Sequence, residues 1–196
     1  MPAEQVIVIR HAEKPTAKPK RHGVRDDGTN DKESLTVRGW QHAGSLAAVF
    51  AAGLAATVEA ALRRPDHIFA AGIGKKRVKG EDGKIRTVGS HSRRPLETVT
   101  PMADRLGITP VTAHTKGEEA SLVKDALARE GVVLICWQHE DIPVIGNLIM
   151  GDATSVPQTW PDDRYDLIWV FERKGRKFKF RQLFHPRLGA PAPQGA

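Results

Sequence analysis

Val6-Ile7-Val8-Ile9-Arg10-His11-Ala12-Glu13-Lys14-Pro15 is the stretch on which the reading of this 196-residue chain turns. Its four consecutive β-branched apolar residues predict a short strand buried on both faces, as in a parallel sheet. The strand delivers an arginine and a histidine side by side at its carboxyl end, where open α/β sheets bind their ligands. There Arg10 can present a planar two-pronged cation to an oxyanion, and His11 an imidazole able to act as nucleophile or as acid and base. A strand that merely ends in polar residues accounts for this stretch equally well.

Working outward, residues 15–34 are rich in Lys, Pro, Gly, Asp and Asn and predict a long exposed loop that leaves directly from the Arg-His pair. A helix follows from Leu35-Thr36 to about Ala52, capped by Ser34 or Thr36, with Trp40, Ala43, Leu46, Ala47 and Phe50 as its apolar face. The alanine-rich run to Leu62 extends it or adds a second helix, and Arg63-Arg64-Pro65-Asp66 ends it. His67–Ala71 is the second strand. The polar segment Gly72–Gly89 predicts an inserted hairpin or flexible loop, with Glu81-Asp82-Gly83 as its turn signal.

Ser90-His91-Ser92-Arg93-Arg94-Pro95 then leads into a helix that Gly107 ends. Ser90, Ser92 and Arg94 thus fall at a helix N-terminus, where free N–H groups and the helix dipole favour an anion. Thr109–Ala113 predicts a third strand, and Glu118–Arg129 a helix. Val132–Trp137 is a further strand buried on both faces, which delivers His139 and Glu140 at its end. A helix over about Ile142–Met150 comes next. Tyr165–Phe171 and Lys177–Phe184 then form an antiparallel edge hairpin around Lys174-Gly175. The expected class is α/β, a three-layer α/β/α arrangement with a mainly parallel central sheet. Residues 1–186 form a single domain and 187–196 a flexible tail.

Composition narrows the function classes. The formal net charge is +7, but the cations fall in separate clusters (Lys18–Arg25, Lys75–Lys84, Arg173–Arg181) with no recognition helix, zinc-finger spacing or stacking motif. The charge therefore reads as solvated surface and steering of anions, and nucleic acid is not expected as a partner. No apolar run reaches the length of a membrane span. The first strand begins within five residues of Met1, which leaves no room for a signal peptide. A single cysteine, Cys136, inside an apolar run, fits a buried small hydrophobe and a cytoplasmic protein. Eight histidines are present, yet no His-x-x-His or His-Glu-x-x-His spacing points to a metal.

Three segments now converge on one crevice: Arg10-His11, Ser90–Arg94 and His139-Glu140. Two arginines, two histidines and a helix N-terminus suit a tetrahedral dianion such as phosphate. At these residues the chain resembles the histidine phosphatase superfamily, the phosphoglycerate mutase-like fold. Arg10-His11-Ala12-Glu13 is similar to its Arg-His-Gly/Ala-Glu signature, and Leu35-Thr36-Val37-Arg38-Gly39 to its Leu-Thr-x-x-Gly helix start. Ser90 to Thr98 is similar to its Ser-x-x-x-Arg-Ala-x-Glu/Gln-Thr segment, and His139 to its second core histidine. Gln138 and Pro95 stand where the family has glycine and alanine, and Gly72–Gly89 is an insertion.

The resemblance implies a phosphomonoester hydrolase with His11 as nucleophile through a phosphohistidine. Arg10, Arg94 and His139 would form the phosphate pocket, which Ser90 joins as a phosphate-binding residue through its place at the helix N-terminus, and no metal or organic cofactor is required. It implies Glu140 as proton donor, with Glu118 or Glu119 as the alternative, or no dedicated acid. Glu13 reads as a structural partner of a nearby basic group. The substrate would be a phosphorylated small molecule or a phosphoprotein, chosen by residues 15–34, 72–89 and the loop around Trp160. A silent member that only binds phosphorylated ligands or phosphoproteins is the second reading.

Overall fold

Alternation along β1 (Gln5–Arg10) sets the layers of the computed structural model, which describes residues 2–51, 62–79 and 83–185. Val6 and Val8 face one apolar cluster, Ile7 and Ile9 the other, and all four are buried. β5 (Val132–Trp137) repeats the pattern, with Val133, Ile135 and Trp137 on one side and Val132, Leu134 and Cys136 on the other. A strand buried on both faces needs no polar alternation, which is why both read as continuous apolar runs.

The central sheet has the order β2-β5-β1-β6-β7. β2 (His67–Ala70) and β1 both lie parallel to β5. On the far side of β1, β6 (Leu167–Lys174) runs antiparallel and pairs in turn with β7 (Lys177–Phe184), the edge hairpin. Helices α1 (Val37–Ala51) and α2 (Arg94–Leu106) cover one face through Leu46, Phe50, Val99 and Met102. Helices α3 (Glu119–Ala128) and α4 (Ile142–Met150) cover the other through Leu122, Ala126, Ile142 and Ile145. This is the expected three-layer arrangement. β3 (Gly74–Lys79) and β4 (Ile85–Ser90) form a separate two-stranded ribbon, the inserted hairpin.

Local chemistry explains the helix ends. Thr36 caps α1, its hydroxyl accepting the N–H of Gly39 at 3.1 Å. Ser34 does not cap; its hydroxyl donates to Glu97 of α2. Gly39 allows α1 to lie against the end of β1, since a Cβ there would come within 2.7 Å of the Glu13 carbonyl. Gly107 closes α2 in the left-handed conformation, φ 67°.

Two expected boundaries change. Thr109–Ala113 is not a strand: only Val111 bridges Phe69 beside β2. Pro110 has no N–H to give a ladder, so pairing stops at one bridge. The first strand of the edge hairpin begins at Leu167 rather than Tyr165, because Tyr165 turns out of the sheet to pack on Arg10. The second-helix reading of residues 52–61, part of the Glu81-Asp82-Gly83 turn and the tail from 187 lie outside the described residues. Among the described residues no helix is long and apolar enough to cross a membrane.

Candidate active site

The carboxyl ends of β1 and β5 lie side by side, with Arg10 in register with Trp137 and the His11 N–H donating to the Trp137 carbonyl at 3.1 Å. That pairing brings the Arg10-His11 step next to Gln138 and His139. The third contribution comes from α2, whose Thr98 hydroxyl accepts the N–H of Ala12 at 2.9 Å and donates to the Arg94 carbonyl at 2.7 Å. One hydroxyl therefore ties the first turn of α2 to the residue after His11.

His11 is buried, and its Nδ1 lies 2.7 Å from the Ala12 carbonyl. A carbonyl can only accept, so Nδ1 carries the proton and Nε2 keeps its lone pair. Burial pushes the imidazole pKa down, and Arg94, Arg10 and His139 push it further, to about 3. His11 is thus neutral at physiological pH with a nucleophilic nitrogen, and both arginines and the second histidine lie close enough to act on it.

Arg10 divides its guanidinium between the fold and the site. Nη1 donates to the carbonyls of Asp162 at 2.6 Å, Arg164 at 3.1 Å and Pro161 at 3.3 Å, and the plane lies 3.9 Å from the centroid of Tyr165. Buried Nε and Nη2 have no partner among the described residues. Arg94 is similar: Nη1 donates to the Lys32 carbonyl at 3.0 Å, and buried Nε has no partner among the described residues. Burial lowers the pKa of both groups, but arginine starts so high that both stay charged. Buried cations with unanswered N–H groups are costly unless an anion or ordered water completes them.

His139 lies in the short 3₁₀ turn that follows β5. Its Nε2 lies 2.7 Å from the Asp162 carboxylate and its Nδ1 2.8 Å from Glu140, although the latter contact is poorly aimed for a hydrogen bond. Glu140, the expected proton donor, pairs with Lys116 at 2.9 Å. Burial pushes its carboxyl up, but the 2.9 Å hydrogen bond from Lys116 and the charges of Lys116 and His139 bring it down to about 2. At neutral pH it is an ionised carboxylate in an ion pair. Glu118 accepts the Thr115 N–H and pairs with Lys76, while Glu119 accepts the Trp137 indole N–H at 3.0 Å. Ser90 accepts the N–H of Ser92 at 3.1 Å. Glu13 pairs with His42 at 3.1 Å, as a structural partner would.

Sequence reading missed Tyr165, Asp162 and Lys116, and marked Gln138 without giving it a role. Gln138 is buried, and neither atom of its amide has a partner among the described residues. Tyr165 is the chain's single tyrosine, next to the Trp160 loop, but no motif marks it. Trp160 itself is buried against Trp169, ring centroids 5.4 Å apart, so it pins that loop rather than facing a ligand. Cys136 is fully buried and its thiol pKa is pushed up, which makes it inert.

No protein-family model matches this chain, and neither does any curated protein. Solved structures do. The SixA protein of Agrobacterium tumefaciens, assigned as a phosphohistidine phosphatase, is similar at 17% identity and a TM-score of 0.51, over 91% of this chain and 97% of that one. A mycobacterial glucosyl-3-phosphoglycerate phosphatase in complex with VO3 is similar at 12% identity and a TM-score of 0.53, over the same shares. Mycobacterial hydrolase 1 is similar at 11% identity and a TM-score of 0.50, over 95% and 99%.

Proposed function

From a chain that has the phosphoglycerate mutase-like fold of the histidine phosphatases, we propose a phosphomonoester hydrolase that works through a phosphohistidine on Nε2 of His11. The observation that carries this reading is a neutral imidazole, its proton on Nδ1, beside buried N–H groups of Arg10 and Arg94 that have no partner among the described residues.

Nε2 attacks phosphorus, the bond from phosphorus to the ester oxygen breaks, and that oxygen leaves with a proton taken from an acid or from water. Water then attacks the phosphohistidine, the P–N bond breaks, orthophosphate leaves and His11 is restored. Arg10 and Arg94 balance the charge that spreads over the phosphoryl oxygens, and His139 donates a further hydrogen bond once an oxygen replaces Asp162. None of these steps calls on a metal.

The test is hydrolysis of p-nitrophenyl phosphate with chelator present. Steady turnover that vanishes in His11→Ala is the expected result, and vanadate, which one similar structure carries, is expected to inhibit. Full activity in His11→Ala, or activity lost on chelation, overturns the mechanism. One observation favours a second reading, a pocket that binds phosphorylated ligands without turning them over: Glu140, the carboxylate next to His139, is ionised and tied to Lys116.

A further inference from the structure

The β3–β4 hairpin leaves the sheet after β2 and returns through Ser90 to the first turn of α2, and its root is held at the site's edge by the Gly89 N–H donating at 2.7 Å to the carbonyl of Lys116, whose ammonium pairs with Glu140. Its register pairs Lys75 with Gly89, Lys76 with Val88, Arg77 with Thr87, Val78 with Arg86 and Lys79 with Ile85. Strand alternation gives the ribbon two faces. One, with Lys76 and Val88, lies on the segment 113–118: Lys76 Nζ is 2.9 Å from Glu118, and a Cβ on Gly117 would lie 3.0 Å from Val88.

The opposite face carries Lys75, Arg77 and Lys79 in a row. All three are exposed, and none meets an acidic side chain among the described residues. At two residues per repeat they stand about 6.7 Å apart, running from the root beside Ser90 out toward the tip.

We propose that this row is a docking strip for an acidic polypeptide, so that the substrate is a phosphorylated protein segment whose glutamates or aspartates lie along Lys75, Arg77 and Lys79 while its phosphate enters between Arg10 and Arg94. This rests on the phosphatase reading of the site. An extended peptide repeats every two residues at the same spacing as the strip, so acidic side chains two apart meet the three cations in register. Ile85, 59% exposed opposite Lys79, offers such a chain apolar contact. Neither strand of the hairpin holds an aromatic residue on which a base could stack, which sets single-stranded nucleic acid aside.

Fluorescence anisotropy on the full chain tests this with a labelled 12-residue peptide carrying glutamate at alternate positions, with and without a central phosphoserine. The expected result is binding that weakens with salt and falls about tenfold when glutamine replaces glutamate. K75A/R77A/K79A is expected to lose the same factor for the unphosphorylated peptide, and K75R/K79R to retain affinity. Equal binding of the glutamine peptide to the unaltered protein overturns the inference without recourse to any variant. So does unchanged affinity in the folded triple variant, or tighter binding of a labelled oligothymidylate. Hydrolysis of p-nitrophenyl phosphate reads the phosphatase assignment separately, so acidic-peptide binding without turnover refutes hydrolysis and leaves the strip standing.

Discussion

Oδ1 of Asp162 lies 2.7 Å from Nε2 of His139, the nitrogen that a bound oxyanion would otherwise engage. The Asp162 side chain is 91% exposed while its carbonyl is fixed on Arg10, so the carboxylate can swing aside without disturbing the loop. Its negative charge opposes an incoming phosphate. Asp162→Asn is expected to tighten inhibition by orthophosphate about fivefold, the effect of roughly 1 kcal/mol from one solvated charge. Weaker inhibition in the variant would show that Asp162 instead orients His139.

The buried neutral imidazole of His11 makes folding sensitive to mild acid. Burial, then Arg94, Arg10 and His139, hold its folded pKa at about 3, below the ordinary 6.5. Above pH 6.5 both states are neutral and the shift has no effect on stability. As pH falls from 6.5 towards 3, the unfolded chain takes up a proton that the folded chain refuses, so stability is lost across that window. At about 1.4 kcal/mol per pH unit the loss at pH 5 is about 2 kcal/mol. Urea unfolding at pH 7 and pH 5 is expected to show a smaller drop in His11→Gln, and equal drops would contradict the buried neutral imidazole.

Arg10 and Arg94 are expected to fail differently. Arg10→Ala leaves the carbonyls of Pro161, Asp162 and Arg164 without their donor and removes the plane from Tyr165. It should cost about 1–3 kcal/mol of stability as well as activity. Arg94→Ala loses one backbone contact, to Lys32, and a 3.9 Å ion pair with Glu33, and should mainly raise KM and lower kcat while unfolding closer to the unaltered protein than Arg10→Ala does. Similar melting temperatures for the two variants would contradict the division of labour seen in Arg10.

Much of this arrangement was legible in the chain, for reasons that differ by element. β1 and β5 announce themselves because burial on both faces leaves only apolar residues, and the polar residues that end them stand out. Thr36 and Gly107 mark helix ends through their own side chain and φ. Thr109–Ala113 misleads because its β-branched residues describe a strand while Pro110 denies it a ladder. Asp162 and Tyr165 were hidden because they join the site from a loop more than 150 residues from Arg10 in the chain. Such a contact has no periodicity or spacing to betray it.

Glu140→Gln separates the acid from the ion pair. With its carboxyl held at about 2 by Lys116 and His139 against the opposing effect of burial, Glu140 is ionised throughout the neutral range. Activity is therefore expected to fall no more for alkyl phosphates, which need a proton on the leaving oxygen, than for p-nitrophenyl phosphate. A selective loss on alkyl phosphates, measured as kcat/KM across leaving-group pKa, would return the donor role to Glu140.

The pairing of Gly74 with Ser90 means that the inserted ribbon departs and rejoins the chain at one point, just ahead of Arg94 in the chain. Lengthening, shortening or replacing it need not shift Arg10, His11, Arg94 or His139, each of which is anchored elsewhere. Selection can thus vary what is recognised while leaving the chemistry alone, and an engineer can do the same by exchanging the residues between those two pairing partners.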